Sequence, residues 1–219
     1  MKRKKAIWLI IAYLGTMLGL YGVSVLQYVL MSLPLPARMI SMIAIYWLIA
    51  IIPSIVMFIS KDSLSDYGFR KEKLGLQILI GVVLGVVMSV LLTMLPHLAG
   101  FGMYVDNGKR YHYFWQFAYE FVYCILAVGA VEEFVFRGCI YTRVKHLFGQ
   151  EWVAVIVSSA LFGIFHVLSG NVVQMIVTAM IGAVFCLFRL KMKNISTLSL
   201  IITHGVYNAL ISVWAFLFV

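Results

Sequence analysis

Seven apolar runs, separated by short polar segments, organise this chain of 219 residues. A helix needs roughly 20 apolar residues to cross the hydrocarbon core of a bilayer, and each run is close to that length. The pattern therefore predicts an all-α, polytopic membrane helix bundle. The predicted spans cover about residues 6–30, 39–60, 75–98, 114–137, 151–168, 172–190 and 196–218.

Basic residues in the polar segments predict the orientation of the spans, because cytoplasmic loops carry an excess of Lys and Arg. With the N-terminus inside, fourteen basic residues fall on the cytoplasmic side, and only Arg38, Lys109 and Arg110 fall outside. The distribution supports seven spans with a cytoplasmic N-terminus and an outer C-terminus. The first run is longer than the apolar region of a signal peptide, so we expect it to be retained.

Composition supports the membrane class, since 63% of the residues are hydrophobic and the mean hydropathy is +1.02. The net charge of +9 is scattered in loop clusters, so no nucleic-acid partner is expected. The basic polar segment that starts at Lys61 suits anionic lipid headgroups. The cysteines show no CxxC spacing and are predicted to pack in the core rather than form disulfides or bind zinc: Cys124, Cys139 and Cys186.

The sequence GAVEEFVFRG at residues 129–138 places Glu132, Glu133 and Arg137 at the end of an apolar helix. Ionisable residues at membrane depth cost roughly 2.5–3.5 kcal/mol each on insertion, so they mark a candidate functional site. Glu133 and Arg137 are four residues apart and can form an ion pair on one helix face. That pair leaves Glu132 unexplained, and a carboxylate in apolar surroundings suits general-base catalysis.

Two later spans carry further polar residues at helical spacing. Phe162 and His166 share one face of the fifth span, and His204 and Asn208 share one face of the seventh. Gly205 permits close approach of a neighbouring helix. A single buried histidine is often a packing residue, but two histidines, an amide and a carboxylate on three apolar helices could together hold a water or a metal.

The motifs EExxxR, FxxxH and HxxxN occur in this order along the membrane helices. The ordered triplet resembles the CPBP family of intramembrane proteases, which includes the CAAX prenyl proteases and bacterial bacteriocin-processing or self-immunity proteins. The resemblance covers roughly residues 114–210. It divides the chain into an N-terminal three-helix membrane region, 1–113, and a catalytic core, 114–219.

The resemblance implies roles for the motif residues. Glu132 and His166 would activate the hydrolytic water, while His204 and Asn208 would stabilise the oxyanion or complete a metal site. The remaining glutamate and arginine of the first motif would shape it. The predicted catalytic residues are Glu132, Glu133, Arg137, His166, His204 and Asn208.

A divalent metal such as zinc is the cofactor that this family implies. Glu132, His166 and His204 would fit a catalytic zinc with an open coordination position. Asparagine is a poor zinc ligand, however, and the HExxH motif is absent, so the sequence leaves the metal open.

The predicted spans create a difficulty with depth. Glu132 lies near the cytoplasmic face, but His166 follows Glu151 by fifteen residues, about 22 Å along a straight helix. Either the polar start of the fifth span projects into the cytoplasm, or the turn at residues 169–171 stops short of the outer face.

Two smaller predictions concern other charged segments. Residues 139–148 alternate apolar with charged positions, which predicts a short amphipathic helix in the membrane interface. Glu120 falls near the outer interface, where it is expected to be solvated.

Together with these patterns, the family resemblance implies an intramembrane endopeptidase that acts on a peptide or lipidated protein among membrane lipids. The substrate would be a prenylated C-terminal tail in the CAAX branch, or a peptide precursor or bacteriocin in a bacterial member. Short loops and a basic N-terminus are compatible with a bacterial cell membrane. The rivals are a bacteriocin-immunity protein that binds peptide without cutting it and a proton-coupled transporter. The GxSG and GxGD motifs of other intramembrane proteases are absent.

Overall fold

The structure, a computed structural model, describes residues 2–106, 108–169 and 172–218. Every regular element in these residues is a helix. Seven of the described helices are long and apolar enough to cross a membrane, which confirms the predicted fold class and number of spans. These spans are Lys2–Leu30, Leu35–Ile59, Leu74–Leu98, Phe114–Phe148, Glu151–Leu168, Val172–Lys191 and Thr197–Phe218. Their orientation across a membrane stays a prediction.

The fourth span is longer than the sequence predicted, because it continues through Arg137 to Phe148, and Gly149 ends it with a left-handed φ of 75°. Residues 131–144 are buried at every position, whereas an interfacial helix would expose one face. The predicted helix at residues 139–148 is present over Tyr141–Phe148, but it continues the fourth span and is buried as far as Val144. The prediction of a separate helix with one exposed face is therefore wrong. The pattern misled because the charge of Arg143 is buried against Asp62 of a distant loop.

Contacts divide the chain into two units, each discontinuous in sequence. The first unit comprises Met1–Arg70 and Val131–Lys193, and the second comprises Lys71–Ala130 and Asn194–Val219. The fourth span contributes to both units. Each unit also draws residues from both of the regions, 1–113 and 114–219, that the sequence distinguishes.

Glycines bring helices together in the first unit. A Cβ placed on Gly19 would lie 2.6 Å from the Cα of Ile49, and one on Gly163 would lie 2.5 Å from the carbonyl oxygen of Met175. Lipid tails are as apolar as leucine side chains, so close backbone packing, rather than a hydrophobic drive, holds such helices together. The core between them is built largely from aliphatic and aromatic side chains, including those of Val135, Phe136 and Ile140 of the fourth span.

The second unit is built on the contact between the third and seventh spans. Gly81 and Gly85 form a GxxxG sequence on the third span. A Cβ on Gly81 would lie 2.7 Å from the Cβ of Ile202 and 2.8 Å from the carbonyl oxygen of Ser199. A Cβ on Gly85 would lie 2.9 Å from the carbonyl oxygen of Thr203. Side chains at these two positions would push the helices apart.

Glu120, also in the second unit, is 2% exposed, so the prediction that it is solvated is wrong. Lys109 donates a hydrogen bond to its carboxylate over 2.5 Å, and the Tyr111 hydroxyl donates another over 2.7 Å. Burial is the main cause that raises the pKa of Tyr111, and the Glu120 carboxylate raises it further. The Tyr111 hydroxyl therefore stays protonated and remains a hydrogen-bond donor. The sequence did not reveal that the preceding loop supplies a cation and a phenol to this acid.

The three cysteines are buried, which agrees with their predicted packing in the core.

Replacing Gly81 by Ala is expected to destabilise the protein by about 1–3 kcal/mol, the usual cost of overpacking, because the new methyl group meets backbone atoms. Gly75 lies on the same helix, and a Cβ there would have no neighbouring atom within 4 Å, so Gly75→Ala is a matched control. It should be neutral or slightly stabilising. Unfolding of both variants in detergent measures this, and equal stabilities would contradict the packing argument.

Candidate active site

The motif segment departs from α-helical geometry. Ala130–Glu132 is α-helical, but Glu133–Ile140 is a π-helix, in which hydrogen bonds run from residue i to i+5. A second π-helical segment, Cys124–Gly129, precedes it. Such segments are rare and frequently occur at functional sites. Apolar periodicity did not indicate either segment.

Glu133 and Arg137 form the predicted ion pair, with 3.1 Å between Arg137 Nη1 and Glu133 Oε1. Their side chains are 0% and 1% exposed, so the pair lies inside the protein and is not a surface anchor. The guanidinium carbon lies 4.1 Å from the ring centroid of Phe162 and 5.2 Å from that of Phe185. These aromatic faces attract a cation that is shielded from solvent.

Glu132 is 2% exposed and has a different environment. Its Oε1 accepts a hydrogen bond of 2.5 Å from the hydroxyl of Tyr46. Tyr46 ends the helical segment Leu35–Tyr46, next to an interruption of the second span at Trp47. Sequence reasoning missed Tyr46, and the only available signal was that a tyrosine inside an apolar span needs a partner for its hydroxyl.

The side chains of the two adjacent glutamates therefore contact different kinds of partner. Arg137 binds Glu133, and a neutral hydroxyl binds Glu132. Two neighbouring carboxyl groups in distinct environments are what acid–base chemistry requires, because each can then take a different protonation role.

His166 follows the helix Glu151–Phe165 and opens a 3₁₀ turn. Its Nδ1 lies 2.9 Å from the carbonyl oxygen of Phe162, so Nδ1–H is the donor and Nε2 carries the lone pair in the neutral ring. The rings of Phe162 and His166 are 4.8 Å apart between centroids, which confirms that they share a face. Phe162 thus contacts both Arg137 and His166.

The depth difficulty stays open. The fifth span ends its α-helix at Phe165, and the 3₁₀ turn runs to Ser169. Gly170 and Asn171, the rest of the predicted turn, lie outside the described residues. Projection of the polar start of this span into the cytoplasm likewise stays a prediction.

His204 and Asn208 belong to the second unit, on the helix Thr197–Phe218. His204 is 7% exposed. A Cβ on the intervening Gly205 would lie 2.4 Å from Ile125 Cγ1 and 2.7 Å from Ile125 Cα. The predicted close helix approach at Gly205 is confirmed, and its partner is the π-helical segment Cys124–Gly129.

The metal prediction has no support from the described residues, which contain no group of three or more His, Cys, Asp or Glu side chains suited to holding an ion. Two of the three predicted ligands, Glu132 and His166, belong to the first unit, and His204 belongs to the second. The metal therefore stays a prediction, and no catalytic step is derived through it.

A family model described as "Type II CAAX prenyl endopeptidase Rce1-like" matches residues 113–210. This region is therefore similar to the Rce1-like family. The matched residues include all six predicted catalytic positions and confirm the resemblance that the three motifs indicated. With seven apolar spans, the match also supports an integral membrane protein that is similar to a peptidase family. Searches of curated proteins and of solved structures find no match.

Tyr46→Phe is expected to lower the free energy of unfolding by about 1.5–3 kcal/mol, because it removes a hydrogen bond to a buried carboxyl group. Tyr13→Phe is the matched control in the same unit, since that hydroxyl donates to the backbone oxygen of Leu161 over 3.3 Å. The control should cost only about 0.5–1.5 kcal/mol. Chemical unfolding in detergent compares the two, and a smaller loss for Tyr46→Phe would refute the assigned contact.

Proposed function

We propose that this protein is an intramembrane endopeptidase that hydrolyses a peptide bond in a membrane-associated protein or peptide. The observation that carries the proposal is the environment of Glu132 within the family-matched region. Glu132 is buried and oriented by the Tyr46 hydroxyl, while its neighbour Glu133 binds Arg137. A carboxylate held in this way suits the abstraction of a proton from water.

Peptide hydrolysis needs a base for the attacking water and donors for the charge that develops on the carbonyl oxygen. In our proposal Glu132 removes a proton from the water, and Nε2 of His166 accepts a hydrogen bond from that water. The contact between His166 Nδ1 and the Phe162 carbonyl supports this role, because it fixes the ring and its tautomer. Tyr46 positions Glu132 and restricts its rotamers, which lowers the entropic cost of reaching the reactive geometry.

We assign the developing oxyanion to His204 and Asn208. The Asn208 amide nitrogen is a hydrogen-bond donor at every physiological pH. His204 is buried on the same helix, one turn away. These two assignments rest on the family resemblance of the HxxxN motif, and Glu133 and Arg137 are assigned to shaping the first motif.

The proposed substrate is a membrane-associated peptide or a lipidated protein. The matched family is named for prenyl CAAX substrates, which favours a prenylated C-terminal tail. A peptide precursor, leader or bacteriocin in a bacterial cell membrane is the narrower alternative that the sequence resemblance raised. Both place the scissile bond at the membrane, where an apolar chain of this kind resides.

A divalent metal such as zinc, held by Glu132, His166 and His204, is a separate proposal that rests on the family resemblance alone. If it binds there, purified wild-type protein should contain stoichiometric metal by elemental analysis, and Glu132→Gln should reduce that content. If both preparations contained the same trace amount of metal, the metal proposal would be contradicted. The assignment of Glu132 as a base would not be affected.

Glu132→Gln is expected to lower proteolysis by about 10²- to 10⁴-fold, since it removes a general base while preserving the size of the side chain. The measurement compares peptide termini in membranes from cells that express wild type or variant at equal abundance. New termini seen only with wild type would identify both the activity and the substrate.

Glu151→Gln is the matched control, because Glu151 is an exposed glutamate of the first unit that pairs with Lys145. It should leave the termini unchanged. Identical profiles for wild type and Glu132→Gln, with the biological phenotype retained, would instead indicate a peptide-binding or immunity protein. Proton-coupled flux in sealed vesicles would indicate a transporter.

A further inference from the structure

A cavity of about 340 Å³ lies in the first unit, apart from the six predicted catalytic residues. Four of its lining residues are lysine or arginine and one is aspartate, which leaves a formal excess of three positive charges with the histidine neutral. The lining comprises Lys4, Lys5, Trp8, Ile59, Ser60, Lys61, Asp62, Arg143 and His146. Nothing in the proposed peptidase chemistry uses these residues.

The cavity lies where apolar spans end. Lys4 and Lys5 belong to the first turns of the first span, Ile59 is the last residue of the second, and His146 lies in the last turn of the fourth. Ile7 and Phe58 directly precede the lining residues Trp8 and Ile59 in the sequence, and they are 46% and 83% exposed. Large exposed apolar side chains on spanning helices face lipid, so the cavity lies at the level where lipid headgroups begin.

Arg143 brings a buried cation to this lining. The residue is 6% exposed, and its Nη2 donates to the Val56 carbonyl oxygen over 3.3 Å and pairs with Asp62. Asp62 is the one acidic residue among the lining residues, whereas lysine and arginine side chains carry hydrogen-bond donors and no acceptors. The lining therefore favours a ligand that brings acceptor oxygens.

The chemistry of the lining matches a phosphate group. Arginine and lysine bind phosphate oxygens through charge-assisted hydrogen bonds, and a serine hydroxyl adds a further donor. Lys5 already donates to the carbonyl oxygen of His146 over 3.0 Å, which joins the first span to the fourth at this cavity. Trp8 supplies an amphipathic ring of the type that resides at headgroup level.

We propose that this cavity binds the phosphate of an anionic lipid headgroup. The exposed apolar surface beside it favours a lipid over free phosphate, because acyl chains can lie along Ile7 and Phe58 while the headgroup enters the cavity. The bound lipid would connect the start of the first span to the ends of the second and fourth spans.

Native mass spectrometry of the full chain in detergent tests the proposal by titration with phosphatidylglycerol and with phosphatidylcholine of matching acyl chains. Wild type should bind phosphatidylglycerol more tightly. Lys4→Gln combined with Lys61→Asn should weaken that binding roughly 30-fold, at about 1 kcal/mol for each lysine, and leave phosphatidylcholine binding unchanged. Asparagine replaces Lys61 because this position has a left-handed φ of 59°, which asparagine adopts more readily than most residues.

The control removes the same charge elsewhere in the first unit, by Lys191→Gln with Lys193→Gln, two exposed lysines outside the cavity. An equal loss in this control would show diffuse surface attraction and overturn the proposal. Equal affinity of wild type for the two lipids would also overturn it. Displacement of phosphatidylglycerol by an equal concentration of inorganic phosphate would assign the cavity to a free anion instead. Lys4 and Lys61 are both exposed, so we expect their substitution to leave folding unchanged.

Discussion

The buried ion pair between Glu133 and Arg137 constrains the packing around the EExxxR motif. Two charges removed from water are stable only when good geometry and further contacts compensate the lost solvation. The rings of Phe162 and Phe185 supply those contacts from the fifth and sixth spans. Gly182 makes room for them, since a Cβ there would lie 3.3 Å from Arg137 Nη2. One electrostatic requirement thus determines where three helices approach one another.

The sixth span and the loop after the second span each contribute one residue to the packing around the backbone of the motif helix. Arg189 donates to the carbonyl oxygen of Arg137, and the Tyr67 ring lies against Gly138, where a Cβ would be 3.2 Å away. Tyr67 is 0% exposed, and burial raises its pKa, so it stays a neutral donor toward Cys139 Sγ, 3.4 Å away. The polar loop whose basic residues suit lipid headgroups therefore also supplies a core aromatic residue to the π-helical segment.

The features that the sequence predicted correctly are local ones. Helix length predicts the seven spans. A separation of four residues predicts the Glu133–Arg137 pair and the edge-to-face contact of Phe162 with His166. The contacts that it missed join distant positions, as with Tyr46 and Glu132, which are 86 residues apart. Neither helical periodicity nor a motif specifies such a partner, because it depends on how separate spans pack. The burial of residues 139–144 was missed for the same reason, since a distant aspartate receives the charge of Arg143.

The charges of the fourth span become more exposed to solvent from Arg137 toward Lys145. Arg137 is 1% exposed beside Glu133, Arg143 is 6% exposed beside Asp62, and the Lys145 side chain is 45% exposed. Electrostatic interactions strengthen as water is excluded, so the same type of charge has its largest effect on chemistry at the buried end. At the exposed end the charges remain accessible to headgroups. A single helix can therefore carry a carboxylate shielded from solvent and, about three turns later, an exposed basic surface.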